Sequence, residues 1–241
     1  MGDNSQAKNN KTSGGITRRN FLKLSGAAAI GVSVGSVLPD LIWINDAVAA
    51  IPASEGYLLV DTKKCQGCMS CMLACSLVHE GVASLSLARI QVTQNPFERW
   101  PQDLTIEQCR QCVDPACVKA CPVNALEADP KYGNVRMVHR ERCLGCGACV
   151  AACPYTPSRC MVIQDAHYQN DEKARKCDLC ADAPYHWDKK GGGPHGKQAC
   201  VEVCPVKAIT FTKKIPIQEG DAGYKVNLRD ARWSSLGFPR D

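Results

Sequence analysis

The sequence predicts an α+β protein assembled from repeats of one small cysteine-rich unit, and two observations support this. The 241 residues include 17 cysteines, whereas Phe, Trp and Tyr together make up only 6% of the chain. Aromatic packing is therefore too sparse to dominate the core, and cross-linked cysteines or bound metal must stabilise the fold. In addition, residues 116–126 resemble residues 199–209, and 148–154 share the beginning of this pattern, which indicates an internal repeat.

Sixteen of the cysteines fall into four regularly spaced groups. Groups one and three read C-x2-C-x2-C-x3-C, group two reads C-x2-C-x4-C-x3-C, and group four has a long insertion after its second cysteine. The groups are Cys65, Cys68, Cys71, Cys75; Cys109, Cys112, Cys117, Cys121; Cys143, Cys146, Cys149, Cys153; and Cys177, Cys180, Cys200, Cys204. Cys160 is left over, and we expect it to be a small buried residue.

Three kinds of site compete for this pattern. Disulfides suit an exported cysteine-rich chain, but they do not need a regular C-x2-C-x2-C-x3-C-P spacing. Zinc ribbons use C-x2-C pairs, which fit groups two and four but not the third cysteines of groups one and three. The full run is typical of iron–sulfur proteins, in which three thiolates bind one cluster and the fourth binds another. The sequence therefore predicts four [4Fe-4S] clusters with the sixteen grouped cysteines as iron ligands.

Residues 1–49 predict an export signal. Residues 17–23 read TRRNFLK and precede an uncharged stretch rich in Gly, Ala and Ser, and residues 47–49 fit a signal-peptidase site. This segment resembles a twin-arginine (Tat) signal, and its uncharged stretch is too short to span a bilayer comfortably. Because that pathway carries folded proteins, clusters could be inserted in the reducing cytoplasm. We expect a periplasmic protein whose membrane association is made only through partners.

Charge and polar motifs argue against two other classes of function. The formal net charge is only +5, and the densest basic stretch, 189–197, lacks interleaved aromatic residues, so nucleic acid is not an expected partner. Neither a Ser/His/Asp pattern nor a phosphate-binding glycine loop is present, so the chain is not expected to be an enzyme by itself. We expect surface, solvated or capping positions for His79, His139, His167, His186, His195, Asp61 and Asp114.

From residue 57 to about residue 212, the sequence resembles the four-cluster iron–sulfur subunits of molybdopterin oxidoreductases. That family includes the small subunits of DMSO reductase, polysulfide and tetrathionate reductases and formate dehydrogenase, and similar subunits of nitrite-reduction systems. The resemblance implies an electron-transfer subunit between a membrane quinol module or cytochrome and a molybdopterin- or tungstopterin-containing catalytic subunit. A free-standing periplasmic polyferredoxin carrier and a zinc-stabilised binding protein are the alternatives. An apolar patch on 76–108 or 213–241 would favour a fixed complex over a carrier.

The resemblance also implies two ferredoxin-like modules, each binding two clusters, one nested within the other. The outer module would comprise residues 50–105 and 160–212, the inner module 106–159, and 213–241 a C-terminal extension. Long connections are expected at 76–108 and 181–199.

Short strands are predicted near the cysteine groups, at Tyr57–Asp61, Asn134–Val138 and Ala208–Thr212. A hairpin-type turn is predicted at Asp129–Asn134. The strands before Cys65 and after Cys204 could pair and seal the outer module.

The spacing further predicts which groups share clusters. Groups two and three are separated by only 21 residues, so they should form one two-cluster unit, and groups one and four then close around it. Pairing one with two and three with four stays open, but needs a 33-residue connection inside a unit. The nested pairing gives set A (Cys65, Cys68, Cys71, Cys204), set B (Cys75, Cys177, Cys180, Cys200), set C (Cys109, Cys112, Cys117, Cys153) and set D (Cys121, Cys143, Cys146, Cys149).

Overall fold

Short helices and short strands alternate in the computed structural model, which describes residues 50–163 and 172–237. The strands are β1 (Tyr57–Val60), β2 (Gln91–Gln94), β3 (Leu104–Glu107), β4 (Leu126–Asp129), β5 (Val135–Val138), β6 (Met161–Ile163), β7 (Lys173–Arg175) and β8 (Ile209–Thr212). The α-helices are α1 (Ser70–Glu80), α2 (Ala116–Lys119), α3 (Ala148–Ala151), α4 (Ala199–Val203) and α5 (Ala231–Ser235). The predicted export signal and His167 lie outside the described residues.

Strands β1 and β8 join the two ends of the cysteine-containing region in one antiparallel ladder. Tyr57 lies opposite Thr212 and Val60 opposite Ile209. Both strands supply apolar side chains to the main core, in which Leu58, Val60 and Ile209 are buried. The sequence-based prediction that these two strands pair is confirmed.

Strands β4 and β5 form the corresponding hairpin between groups two and three. A 3₁₀ turn at Pro130–Tyr132 connects them, and the side chain of Asp129 caps it by accepting a hydrogen bond from Lys131 N at 2.9 Å. Gly133 ends the turn at φ 62°, a conformation that side chains with a Cβ adopt reluctantly. The predicted hairpin turn is confirmed.

The region 76–108 is more structured than a long connection. Helix α1 continues to Glu80, and β2 and β3 form an antiparallel hairpin that buries Val92 and Ile106. The hairpin was missed because each strand has four residues and its outward positions are polar. A further pair, β6 with β7, was also missed; its strands have three residues each.

The helices pack in two pairs, α1 with α4 and α2 with α3. Each pair brings together helices that carry the third cysteine of two different groups, Cys71 with Cys200 and Cys117 with Cys149. The helices therefore place cysteines from distant parts of the chain side by side.

The C-terminal extension packs along β1. Val60 N donates to Tyr224 O at 2.9 Å, and Val226 N donates to Val60 O at 2.9 Å. Asp61 is buried and accepts from Leu228 N at 2.8 Å and from Arg229 Nε at 3.1 Å. Asp61 occupies the N-cap position of the 3₁₀ turn Thr62–Lys64, although its side chain makes no capping hydrogen bond. The prediction of a solvated position is wrong, because the buried carboxylate holds the extension. Asp114 is exposed and pairs with Lys119.

Among the described residues, no helix combines the length and the apolar character needed to cross a membrane.

Candidate functional site

The grouped cysteines of the protein converge on small cavities. One cavity is lined by Cys65, Cys68, Cys71 and Cys204, the members of set A. A second is lined by Cys109, Cys112, Cys117 and Cys153, the members of set C. A third is lined by Cys121, Cys143, Cys146 and Cys149, the members of set D. None of the 17 cysteines is in a disulfide.

The remaining four grouped cysteines, the members of set B, also influence one another. Burial, and then the charges of Cys180, Cys177 and Cys75, raise the pKa of Cys200 well above its ordinary value. Burial and Cys75 likewise raise the pKa of Cys180. All four side chains are buried.

One backbone conformation recurs in the C-x2-C loops of all four groups. The residue before the second cysteine has a positive φ in each loop: Gly67 at 67°, Gln111 at 50°, Gly145 at 68° and Leu179 at 59°. Non-glycine residues rarely adopt this region, so Gln111 and Leu179 hold strained backbone where the loop must curl. The curl lets backbone N–H groups point at sulfur: Gly67 N donates to Cys65 Sγ at 3.4 Å and Gly145 N to Cys143 Sγ at 3.4 Å.

The Cys-Pro ends of groups two and four are also alike. Asn124 and Lys207, three residues after the last cysteine, have φ values of 50° and 52°. The next amides then reach back, with Ala125 N donating to Cys121 Sγ and Ala208 N donating to Cys204 Sγ, both at 3.2 Å. This matched geometry is the structural form of the repeat seen in the sequence. Hydrogen bonds of this kind stabilise anionic sulfur.

Neighbouring sets contact each other, sets A and B through helix α1 and sets C and D through Cys160. Cys71 of set A and Cys75 of set B lie one turn apart on α1, and residues at this spacing are neighbours on one helix face. Between sets C and D, the connection is Cys160, which touches Cys117 and Cys149.

Cys160 is buried, as predicted, but it also contacts two predicted ligands. Hydrogen bonding with Cys160 is the main cause that lowers the pKa of Cys117 to about 6 and that of Cys149 to about 7. No sequence pattern predicts this contact, because Cys160 falls outside the repeated spacing.

The chemistry of the sets fits iron–sulfur clusters. Unlike Cys117 and Cys149, two other predicted ligands have raised pKa values. Burial, and then neighbouring sulfurs, raise the pKa of Cys71 to about 12 and that of Cys112 to about 11. Crowded thiolates in a dry site need a polycation to offset their repulsion and desolvation, and iron supplies it. Four thiolates in each set and N–H donors aimed at sulfur are the donor set of a [4Fe-4S] cluster.

A buried polar network of His79, Asp178 and Arg89 lies next to set B, and the sequence analysis did not predict it. His79 Nδ1 lies 2.7 Å from Cys75 O and 3.7 Å from Cys75 Sγ, and His79 Nε2 lies 2.9 Å from Asp178 Oδ1. Arg89 NH1 donates to the other oxygen of Asp178 at 2.7 Å. Burial and Arg89 oppose protonation, but Asp178 and Cys75 outweigh them and raise the pKa of His79 to about 10. The expectation that His79 is a surface or capping residue is therefore wrong.

Set C has a strongly cationic environment. Arg110, Arg136 and Arg159 line its cavity, and Lys176 contacts Cys109 Sγ. Burial alone would lower the pKa of Lys176, but the sulfurs of Cys109, Cys160, Cys117 and Cys177 raise it. These four basic residues are far apart in the sequence, so no local sequence pattern predicts that they meet at set C.

Two cysteine sets reach the surface. Cys68 of set A and Cys146 of set D are exposed, whereas the members of set B are buried. The other histidines in the described residues pair with groups other than cysteine: His139 with Glu127 at 2.9 Å, His186 with Lys197 O at 3.0 Å and His195 with Glu55 at 3.0 Å.

Comparisons with known proteins agree with this chemistry. A family model described as a 4Fe-4S dicluster domain matches residues 102–214, which include groups two to four. A second model, described as a 4Fe-4S binding domain, matches residues 62–78, which include group one.

Three relatives illustrate the similarity. The protein NrfC homolog of Haemophilus influenzae is 34% identical over 203 residues, covering 81% of this chain and 79% of that protein. The hydrogenase-2 operon protein HybA of Escherichia coli O157:H7 is 33% identical over 253 residues, covering 93% and 70%. The polyferredoxin-like subunit of an aliphatic sulfonate oxidoreductase of Pyrococcus furiosus is 38% identical over 148 residues, covering 61% and 70%. The chain therefore belongs to the ferredoxin-type family of 4Fe-4S iron–sulfur electron-transfer proteins.

Proposed function

We propose that the protein is a periplasmic electron-transfer subunit that holds four [4Fe-4S] clusters, one in each of sets A to D. The observation that carries the proposal is that twelve cysteines line three cavities in sets of four. The other four are buried, and Cys75, Cys177 and Cys180 raise the pKa of Cys200. Such clusters supply reversible one-electron chemistry when bound. The role of the chain is to hold them in a fixed order, bury them and surround them with charges that set their potentials.

The order A–B–C–D follows from contacts between sets. Helix α1 carries one cysteine of set A and one of set B, and α4 with its C-cap carries Cys200 of set B and Cys204 of set A. Gln111, in the loop of set C, donates to Cys177 O of set B at 2.8 Å. Cys160 bridges sets C and D. These contacts support a linear path across the protein.

The nested arrangement of two ferredoxin-like modules is part of this proposal. Support comes from the strand pairs β1–β8 and β4–β5 and from the helix pairs α1–α4 and α2–α3. In both cases elements from groups one and four meet, and elements from groups two and three meet. A pairing of group one with group two would require different helix contacts.

The exposed cysteines support entry and exit of electrons at the two ends. Cys68 and Cys146 are exposed in sets A and D, whereas set B is enclosed. A partner that docks at either end approaches a ligand directly, without displacing protein. We infer that one end faces a quinol module or cytochrome and the other a catalytic subunit.

Exposed apolar side chains favour a fixed complex over a free carrier. Phe97, at the tip of the β2–β3 hairpin, is 95% exposed, and Ile217 and Leu236 of the C-terminal extension are also exposed. These residues lie in segments 76–108 and 213–241, where an apolar patch would favour a fixed complex. Ile217 lines one surface groove with the exposed Ile215, and exposed apolar residues that cluster are typical of protein interaction sites. We propose a molybdopterin- or tungstopterin-containing enzyme as the catalytic partner.

The test is an anaerobic purification of the tagged, full-length chain from its native host. We expect about one molybdenum or tungsten per chain to co-purify, together with iron, and the clusters of this chain to take up about four electrons on reduction with dithionite. Replacing Phe97 by Ser should lower the recovered molybdenum or tungsten and leave the iron content unchanged. A monomeric, iron-loaded chain without either metal would instead identify a free carrier, and zinc in place of iron would contradict the proposal.

A further inference from the structure

Charges around set C balance only in part. Arg110 and Arg159 line its cavity, and each of their guanidinium groups pairs with a carboxylate. Asp221 Oδ1 accepts from Arg110 NH2 at 2.6 Å, and Glu107 pairs with Arg159 NH1. These two cations and two anions offset each other.

Two further cations near set C have no carboxylate partner within the described ranges. Arg136, which is 1% exposed, directs its guanidinium hydrogen bonds to backbone carbonyl oxygens, including Cys112 O at 2.8 Å. Lys176, which is 2% exposed, donates to the carbonyl oxygens of Arg136 and Cys177 and contacts Cys109 Sγ. A buried cation without an anion is costly. The anionic sulfurs of set C compensate the positive charges of Arg136 and Lys176.

The cavity linings of sets A and D hold no charged side chain, although the half-buried Lys173 donates to Cys143 O of set D at 2.7 Å. The residues that line the set D cavity besides its cysteines are apolar or glycine, and those of set A are apolar except for Gln66. Hydrogen bonds from backbone N–H groups to sulfur do not distinguish the sets, since Cys65, Cys109 and Cys143 each accept one from their own loop. Fixed charge is therefore the main difference between set C and these two sets.

At set B, carboxylates accompany the cations. Asp178 lies within hydrogen-bonding distance of both His79 and Arg89, and Glu80 lies near Arg89 and Arg175. Lys176 also reaches the backbone of set B through Cys177 O at 2.9 Å. Its ammonium group thus stands at the junction of sets B and C.

We propose that Lys176 is a positioning residue that raises the reduction potential of the set C site above the potentials of sets A and D. The inference rests on the proposed function, because it requires a cluster in each of these sets. Reduction takes one electron from the donor partner and adds one negative charge to the site. A fixed cation in a dry interior favours that charge more strongly than solvent does at the exposed edges of sets A and D.

The experiment is a redox titration of the full-length, anaerobically loaded protein with dithionite, followed by EPR. The set C signal is identified as the one altered in a Cys112→Ser variant. In the wild-type protein, we expect this signal to develop before those of sets A and D. The variant Lys176→Met, which keeps the apolar stem, should lower the equilibrium constant for reducing set C at least about tenfold, or ~59 mV for one electron. Lys176→Arg, which keeps the charge, should restore the wild-type potential.

A second buried lysine provides the matched control. Lys64 Nζ donates to Leu228 O at 2.9 Å and lies over the ring of Trp233, away from set C. Lys64→Met should leave the set C potential unchanged. The inference is wrong if set C is reduced after set A or set D, or if Lys176→Met behaves like Lys64→Met while four signals are present. Absence of a cluster from set C in the wild-type protein would overturn the proposed function as well.

Discussion

The side-chain amide of Gln111 donates a hydrogen bond to the carbonyl oxygen of Cys177 over 2.8 Å. Gln111 lies inside the C-x2-C loop of group two, and Cys177 is the first cysteine of group four, so this bond joins two loops that are far apart in the chain. The amide oxygen of the same side chain accepts from Arg136 N at 2.8 Å. A single buried side chain therefore fixes the position of the set C loop against set B.

Removing this amide should destabilise the holoprotein. Gln111→Leu leaves Arg136 N without this acceptor, whereas Cys177 O keeps the hydrogen bond from Lys176, and one unsatisfied buried group costs about 1–3 kcal/mol. The expected result is faster loss of iron–sulfur absorbance in guanidinium, measured anaerobically. Gln66→Leu is the control, because Gln66 occupies the C-x2-C loop of group one but is exposed. Equal rates for the two variants would show that the Gln111 bond contributes nothing.

The buried Asp61–Arg229 pair should hold the C-terminal extension in place. Asp61→Asn removes the carboxylate that accepts from Arg229 Nε and Leu228 N, and breaking a buried ion pair costs about 3–5 kcal/mol. We expect a lower unfolding midpoint and faster tryptic cleavage after Lys225 or Arg229. Asp114→Asn removes an exposed pair with Lys119 and should cost less than about 1 kcal/mol. Undiminished protection of the extension in Asp61→Asn would contradict this role.

Single ligand substitutions should distinguish the nested pairing from the sequential one. Cys204→Ser should alter only the EPR signal of the cluster held by Cys65, Cys68 and Cys71, since these line one cavity with Cys204. Cys121→Ser is the matched control, because Cys121 has the same Cys-Pro geometry but lines the cavity of set D. Damage to the group-three cluster by Cys204→Ser would contradict the nested proposal.

The Tat assignment predicts where the protein accumulates. Replacing Arg18 and Arg19 by Lys should leave cluster-loaded protein in the cytoplasm, because the arginine pair is the feature that identifies the signal. Fractionation with iron analysis of both compartments measures this. Unchanged periplasmic accumulation in a strain that lacks the Tat translocase would show that another route is used.

The sequence predicted features that repeat or that depend on local spacing. The strands around Tyr57 and Ile209, the Asp129 turn and the internal repeat all have such signatures. The contacts that tune the site do not. His79 and Asp178 are 99 residues apart, and Arg110 and Asp221 are 111 apart, so their pairing follows from tertiary packing. Strands as short as β2, with four residues, are too short to show the alternation of apolar and polar residues that predicts a strand.

The central claim is that sixteen cysteines hold four [4Fe-4S] clusters, and metal analysis of the anaerobically purified chain tests it most directly. Sixteen ligands at four per cluster predict about sixteen iron and about sixteen acid-labile sulfide per chain, with negligible zinc. Iron and sulfide in equal amounts near that value would support the account. A chain that carries about four zinc ions and negligible iron, or about eight iron with two sets empty, would contradict it.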